Sequence, residues 1–183
     1  MSKIIFGFVG EIASGKGTAC EYLINNYQAG YYRFSTIIRD IIKRLYIAED
    51  REHLQKMSSV LRENFGQDIF AKVMAEDVNN DKHTIICVDG IRRQDDIIYL
   101  KKIPGFILVN IFADLETRYQ RIVKRSENQD DKAKTFEQFK KDHENENEAL
   151  IEETGKQASE KIDNNGTEAE LVEQIEKMVE KYK

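Results

Sequence analysis

Nine residues near the amino end, Gly10-Glu11-Ile12-Ala13-Ser14-Gly15-Lys16-Gly17-Thr18, match the spacing GxxxxGK. They follow Lys3–Val9 (KIIFGFV), a run apolar enough for a strand buried on both faces, and lead into Thr18–Tyr27 at helical spacing. A glycine-rich turn between a buried strand and a helix lets successive backbone N–H groups converge on an anion, and the helix N-terminus adds a favourable dipole. The cradle so formed comprises Gly10, Ala13, Ser14, Gly15, Lys16, Gly17 and Thr18, with the Lys16 ammonium reaching the outer phosphates of a nucleotide. This loop is the most specific chemical signal in the chain.

The remaining chemistry-bearing residues are mostly arginines. Arg39 lies in a helical stretch that opens at Ser35, and Arg62 lies in LRENFGQD. Arg92 and Arg93 follow Asp89-Gly90 at the end of the β-rich run Thr84–Val88. Arg118, Arg121 and Arg125, spaced three and four apart, share one helical face straight after the strongest strand, Gly105–Ala113. His53, His83 and His143 are isolated, and no Ser/His/Asp or Cys/His grouping supports hydrolase chemistry. Cys20 and Cys87 belong to no CxxC pair, so neither a zinc cluster nor a disulfide framework is indicated.

Strands alternate with helices along the chain, which implies right-handed βαβ crossovers and a parallel sheet covered on both faces. Tyr31–Phe34 reads as a second short strand, and Ser35–Leu45 as a helix with Ser35 as its N-cap. Residues 50–79 read as helix broken near Gly66, Asp95–Lys102 as helix, and residues 126–134 as a polar loop. Phe136–Gly155 reads as acidic helix, Lys161–Ile162 as an edge strand, Asn164-Asn165-Gly166 as a turn, and Thr167–Lys181 as the last helix.

The chain has 183 residues and a net charge of -5, with 28 Lys+Arg against 33 Asp+Glu. Residues 126–183 hold nine Lys, no Arg and 17 acids, so the arginines crowd into the first two thirds. An acidic chain is a poor general binder of nucleic acid, because duplex affinity rests on neutralised phosphates. No apolar run is long enough to span a membrane, and the amino end lacks the features of a secretory signal. A reduced, cytoplasmic protein of one domain, residues 1–183, is expected.

The form GKGT at Gly15–Thr18 resembles the nucleoside monophosphate kinases, of which adenylate kinase is the familiar member. Further segments fall in that family's order. Asp89-Gly90-Ile91-Arg92-Arg93 is similar to the Asp-Gly-x-x-Arg segment of adenylate kinases and to the Asp-Gly-Ile-Arg segment of archaeal-type kinase relatives. Arg92 with Asp96 reproduces the Arg-to-acid spacing of deoxynucleotide kinases. Phe34-Ser35-Thr36-Ile37-Ile38-Arg39 stands where the family's acceptor-binding helix begins. Ile162-Asp163-Asn164-Asn165-Gly166-Thr167 resembles the Ile-x-Asn-x-Gly-Thr turn of dephospho-CoA kinases, which lies against the adenine.

The resemblance implies a three-layer α/β/α P-loop kinase fold with a five-stranded parallel sheet in order 2-3-1-4-5 and a helical lid. It implies ATP and Mg²⁺, with Lys16, Arg92, Arg93 and Arg125 as catalytic residues and Thr18 and Asp89 near the metal. Arg121, Asn164 and Gly166 would hold the nucleotide base side, and Ser35, Arg39, Arg92 and Arg93 the acceptor. Residues 35–79 would cover the acceptor and residues 126–154 would form the lid. The pattern departs from the family in the lid, where no Arg follows Arg125 and only Lys132, Lys134, Lys140 or Lys141 could substitute.

The implied reaction is transfer of the γ-phosphate of ATP to a nucleoside or deoxynucleoside monophosphate. Dephospho-CoA kinases instead phosphorylate a hydroxyl, and carry an Asp after the second strand and GKST in the loop. Here Ser35 and Thr36 stand at that place and the loop reads GKGT, which favours a monophosphate acceptor. A dephospho-CoA kinase-like enzyme and an ATP-binding regulatory pseudokinase are the alternatives. A GTPase is excluded by the lack of an Asn/Thr-Lys-x-Asp motif.

Overall fold

A computed structural model of the chain describes residues 3–125, 135–143 and 146–183. Its centre is β1 (Ile4–Val9), buried at every residue. Parallel partners lie on both sides: β3 (Ile85–Ile91) on one and β4 (Phe106–Phe112) on the other. The four-residue strands β2 (Gly30–Arg33) and β5 (Glu160–Asp163) close the edges, giving the order β2-β3-β1-β4-β5. That is the order expected from the sequence.

Side chains alternate across this sheet, so each strand feeds two cores. Phe6, Phe8, Cys87 and Ile111 face α1 (Lys16–Tyr27) and α9 (Glu168–Tyr182). Ile5, Val9, Ile86 and Val88 face the other way, where α2 (Phe34–Arg44), α4 (Ile69–Asn80) and α8 (Glu146–Lys156) contribute Phe34, Met74 and Ile151. The remaining helices are α3 (Arg51–Phe65), α5 (Gln94–Ile97), α6 (Leu115–Arg125) and α7 (Phe136–His143). Helices on both faces of a parallel sheet make three layers.

Two local expectations are corrected. Ser35 does not cap α2: the helix starts one residue earlier, with Arg33 in extended conformation at the N-cap and Phe34 buried under the first turn. Burial of the ring against the sheet outweighs the capping preference of a hydroxyl. Asp95–Lys102 is not one helix but α5 followed by a single 3₁₀ turn, Leu100–Lys102. Pro104 disfavours helical geometry at Ile103, so the chain tightens and ends there.

Cys20 on α1 and Cys87 on β3 are both free and buried, and they meet in the core. Their mutual hydrogen bond, and then burial, push the Cys20 thiol pKa up, so it stays a neutral core group. Among the described residues no helix is long and apolar enough to cross a membrane. Because all the strands are parallel, their carboxyl ends and the loops after them meet along one edge of the sheet, where ligands of open α/β sheets bind.

Candidate functional site

The loop between β1 and α1 is wound by three residues of positive φ: Gly10 (154°), Ala13 (59°) and Gly15 (108°). Ala13 in the left-handed region costs on the order of 1 kcal/mol, and such strain persists where the surrounding structure imposes it. Ser14 N donates to Glu11 O at 3.2 Å, closing the turn. The Lys16 ammonium folds back over the loop and donates to Gly10 O at 2.7 Å and to Glu11 O at 2.8 Å. It therefore lies across the hollow that the sequence assigns to phosphate. The Glu11 carboxylate is held from below by Arg118, at 3.0 Å, while Arg118 Nε donates to Ala113 O at 2.9 Å.

Asp89 lies two residues before the end of β3, on the α1 side of the sheet, the face that carries Cys87 two residues earlier. Its Oδ2 accepts from Tyr31 Oη at 3.2 Å and pairs with Arg33 Nε at 3.6 Å. The parallel register sets Arg33 opposite Asp89, which is why β2 delivers both partners. Burial, then the Asp89 charge, raises the Tyr31 hydroxyl pKa, so Tyr31 remains a donor. Asp89 Oδ1 is buried and finds no hydrogen-bond partner among the described residues; nor does Ser14 Oγ. Tyr31 and Arg33 were not found by sequence reasoning; only their place at the end of a strand beside Asp89 could have pointed to them.

The turn after β3 carries the Arg92–Arg93 pair. Asp96, buried at 4% exposure, accepts from the Arg92 and Arg93 backbone N–H groups at 3.0 and 3.1 Å. Its other oxygen faces Arg62 of α3 at 3.5 Å. Arg62 also donates to Gln67 O and lies 4.8 Å above the Phe70 ring centroid. Burial pulls the Arg62 pKa below the usual arginine value; Asp96 opposes this and the nearby Arg93 charge adds to it. Arg62 reads in sequence as a surface helix charge, yet its side chain is only 13% exposed and it faces this turn. The Arg92–Asp96 spacing was the legible half of the arrangement.

On the far side of the loop, Arg121 donates to Asn164 O at 2.8 Å, and its own burial lowers its pKa. Asn164 is buried, with its amide turned into the loop rather than out to a base. Gly166 sits against α9: a Cβ there would lie 2.1 Å from Glu170 Oε2, the carboxylate that accepts from Thr167 N at 2.7 Å. Thr18 and Gly17 are exposed on the first turn of α1. Arg39 lies outside these groupings, paired with Glu49 at 3.2 Å, and the buried Ser35 Oγ has no partner among the described residues. The side chain of Arg125 lies outside the described residues, as do residues 126–134 and 144–145 of the expected lid.

Three stations thus line one edge: the loop with Lys16 and Asp89, the arginine turn with Arg62, and the Arg121–Asn164 corner. The loop fits a polyphosphate, since it offers backbone donors, an ammonium and a helix N-terminus together. Among the described residues no three His, Cys, Asp or Glu side chains gather as a metal cage. Asp89 Oδ1 fits a Mg²⁺ ion that takes most of its shell from phosphates and water, as that ion prefers.

Comparison with known proteins agrees with this fold. A family model described as an AAA domain matches residues 9–140, and the chain belongs to that family. A UPF0200 protein of Hyperthermus butylicus is 30% identical over 109 residues, 60% of this chain and 58% of that protein. A UPF0200/UPF0201 protein of Archaeoglobus fulgidus is 28% identical over 179 residues, 96% of this chain and 54% of that protein. The chain spans little more than half the length of these relatives. Among solved structures, a shikimate kinase of Bacteroides thetaiotaomicron superposes with TM-score 0.65 at 10% identity, covering 97% of both chains. A dephospho-CoA kinase of Campylobacter jejuni gives TM-score 0.59 at 17% identity, covering 99% of this chain and 97% of that one. The fold is that of the P-loop kinases.

Proposed function

We propose that the chain is an ATP-dependent phosphotransferase that moves the γ-phosphate to a nucleoside or deoxynucleoside monophosphate. The observation that carries this reading is the wound loop with Lys16 folded across it at the carboxyl edge of a P-loop kinase sheet. Phosphoryl transfer asks the protein mainly for positioning and for charge placed against the moving group. Lys16 and the loop amides would hold the donor's outer phosphates, while Thr18 and Asp89 would face Mg²⁺ or its water shell. The metal's part is to neutralise charge between the donor phosphates.

The acceptor class rests on the second station. Arg92, Arg93 and Arg62 bring fork-shaped donors to one turn, suited to a phosphate monoester, with Arg39 as an outer contact. A hydroxyl acceptor needs a general base. Asp89, the buried carboxylate beside the loop, is engaged by Tyr31 and Arg33 through Oδ2, and in this reading its Oδ1 is taken by Mg²⁺ or its water shell. A phosphate oxygen needs no base, which favours the monophosphate over the hydroxyl acceptors of the dephospho-CoA and shikimate kinases that share the fold. In this reading residues 1–183 act as one kinase unit, residues 35–79 cover the acceptor, and residues 126–154, with Arg125, close over the donor.

The test is turnover. ADP formation should appear with a nucleoside or deoxynucleoside monophosphate and stay at background with dephospho-CoA and shikimate. Lys16→Ala should lower kcat by about 10²-fold or more, the scale of losing one preorganised charge donor. The far-ultraviolet circular dichroism of that variant should be unchanged. Turnover on a hydroxyl acceptor would refute the acceptor assignment. ATP binding without turnover across the panel would indicate a regulatory nucleotide binder.

A further inference from the structure

The phosphate loop is braced from behind by a side chain 150 positions away in sequence. Asn164 Nδ2 donates to Ser14 O at 2.8 Å, and the bond is buried. Its Oδ1 faces Arg121 at 3.5 Å, its backbone O accepts from Arg121 at 2.8 Å, and its backbone N–H donates to Phe112 O at 2.8 Å. A carbonyl on one side and a guanidinium on the other admit a single orientation of the amide. All four polar groups of this residue, 4% exposed, are therefore committed.

We infer that Asn164 is a positioning residue for polyphosphate binding, not a contact to the nucleotide base. A trans peptide is planar, with its C=O and N–H pointing in opposite directions. Holding Ser14 O toward the buried amide therefore points the Gly15 N–H away from it, out of the protein body. That N–H is one of the donors the cradle needs. Gly15 makes the coupling reciprocal: a Cβ on it would lie 2.0 Å from Asn164 Nδ2, so the amide occupies the space a side chain would take. Gly15 is also at φ 108°, where other residues are strained. The turn that leads into α9 and the loop that leads into α1 thus form one unit, with Arg121 of α6 as its outer clamp.

This inference rests on the proposed polyphosphate-binding loop, and its test keeps the two apart. Calorimetry would measure ATP with Mg²⁺ and inorganic tripolyphosphate against the full chain and two variants. Asn164→Ala removes the donor. Asn164→Asp keeps the shape but sets a carboxylate oxygen against Ser14 O, and serves as the second variant should Asn164→Ala unfold. The expected result is a loss of about tenfold or more in affinity, equal for ATP and tripolyphosphate, with Asn164→Asp the weaker binder. In turnover, the KM for ATP should rise while the acceptor KM stays within twofold. A loss for ATP alone would overturn the inference and return Asn164 to the base. Unchanged affinity for both ligands would overturn it as well, leaving only a structural bond. Wild-type protein that binds neither ligand would sink the phosphate loop itself.

Discussion

Gly17 stands where most phosphate loops carry a metal-binding hydroxyl, and nothing lies within 4 Å of a Cβ placed on it. Its backbone is helical and not left-handed. No steric reason therefore holds glycine there, unlike Gly15, whose missing side chain makes room for Asn164. Gly17→Ala should stabilise the protein by roughly 0.5–1 kcal/mol, read as a rise in Tm, because alanine loses less backbone freedom on entering a helix. A fall in Tm would show that the first turn of α1 depends on an unhindered backbone. At this scale the loop was legible because its spacing is local. Asn164 was legible only as part of a turn, since the chain order says nothing about which way its amide points. Arg33 and Tyr31 were silent, because their partner Asp89 comes from a strand more than fifty residues later.

At the scale of elements, the Arg92–Arg93 turn is fixed less by its arginines than by Asp96. That carboxylate accepts two consecutive backbone N–H groups and faces Arg62 of α3 with its other oxygen. Asp96→Ala would leave both backbone donors without their acceptor and the largely buried Arg62 guanidinium with Gln67 O but no counter-charge, a loss of about 1–3 kcal/mol by the usual cost of orphaned buried groups. The kinetic signature should be a raised acceptor KM with the KM for ATP unchanged. Equal changes in both would mean that Asp96 supports the whole edge and not one station. The helices themselves were readable from apolar spacing, and the break between α3 and α4 near Gly66 was correctly placed. The start of α2 and the division of Asp95–Lys102 were not, because buried Phe34 and the tightening before Pro104 outweighed local preference.

For the molecule as a whole, the two ends of the strands differ in character. The carboxyl ends carry strained backbone and two buried oxygens, Ser14 Oγ and Asp89 Oδ1, with no hydrogen-bond partner among the described residues. The amino ends carry a fully engaged cluster: Tyr32 Oη donates to Asp81 Oδ2 at 2.7 Å, His83 N donates to Oδ1 at 2.5 Å, and His83 Nδ1 lies 2.7 Å from that oxygen. Lys3 Nζ caps the end of α4 through Val78 O, Asn79 O and Asp81 O. Burial works against the Asp81 charge, but Tyr32 and His83 outweigh it and hold its pKa below the ordinary carboxylate value. A depressed pKa adds stability above the unfolded value, near 3.9, and that stability is lost as pH falls through the folded value. Tm should therefore drop below about pH 4, and Asp81→Asn should flatten that drop. Parallel curves for the two proteins would assign the acid sensitivity elsewhere. The parallel sheet was readable because its central strands are apolar runs alternating with helices, and its order because the kinase resemblance implies it; this corner was not, because single polar residues carry no period.

The ammonium of Lys16, resting on two carbonyl oxygens of its own loop, has a consequence for how a guest enters. Each carbonyl takes the place of a water molecule around the ammonium, so an entering anion exchanges one set of partners for another instead of stripping a fully solvated ion. The same two bonds tie the lysine back to the strand end before it, so the residue that meets the guest also braces the turn that receives it.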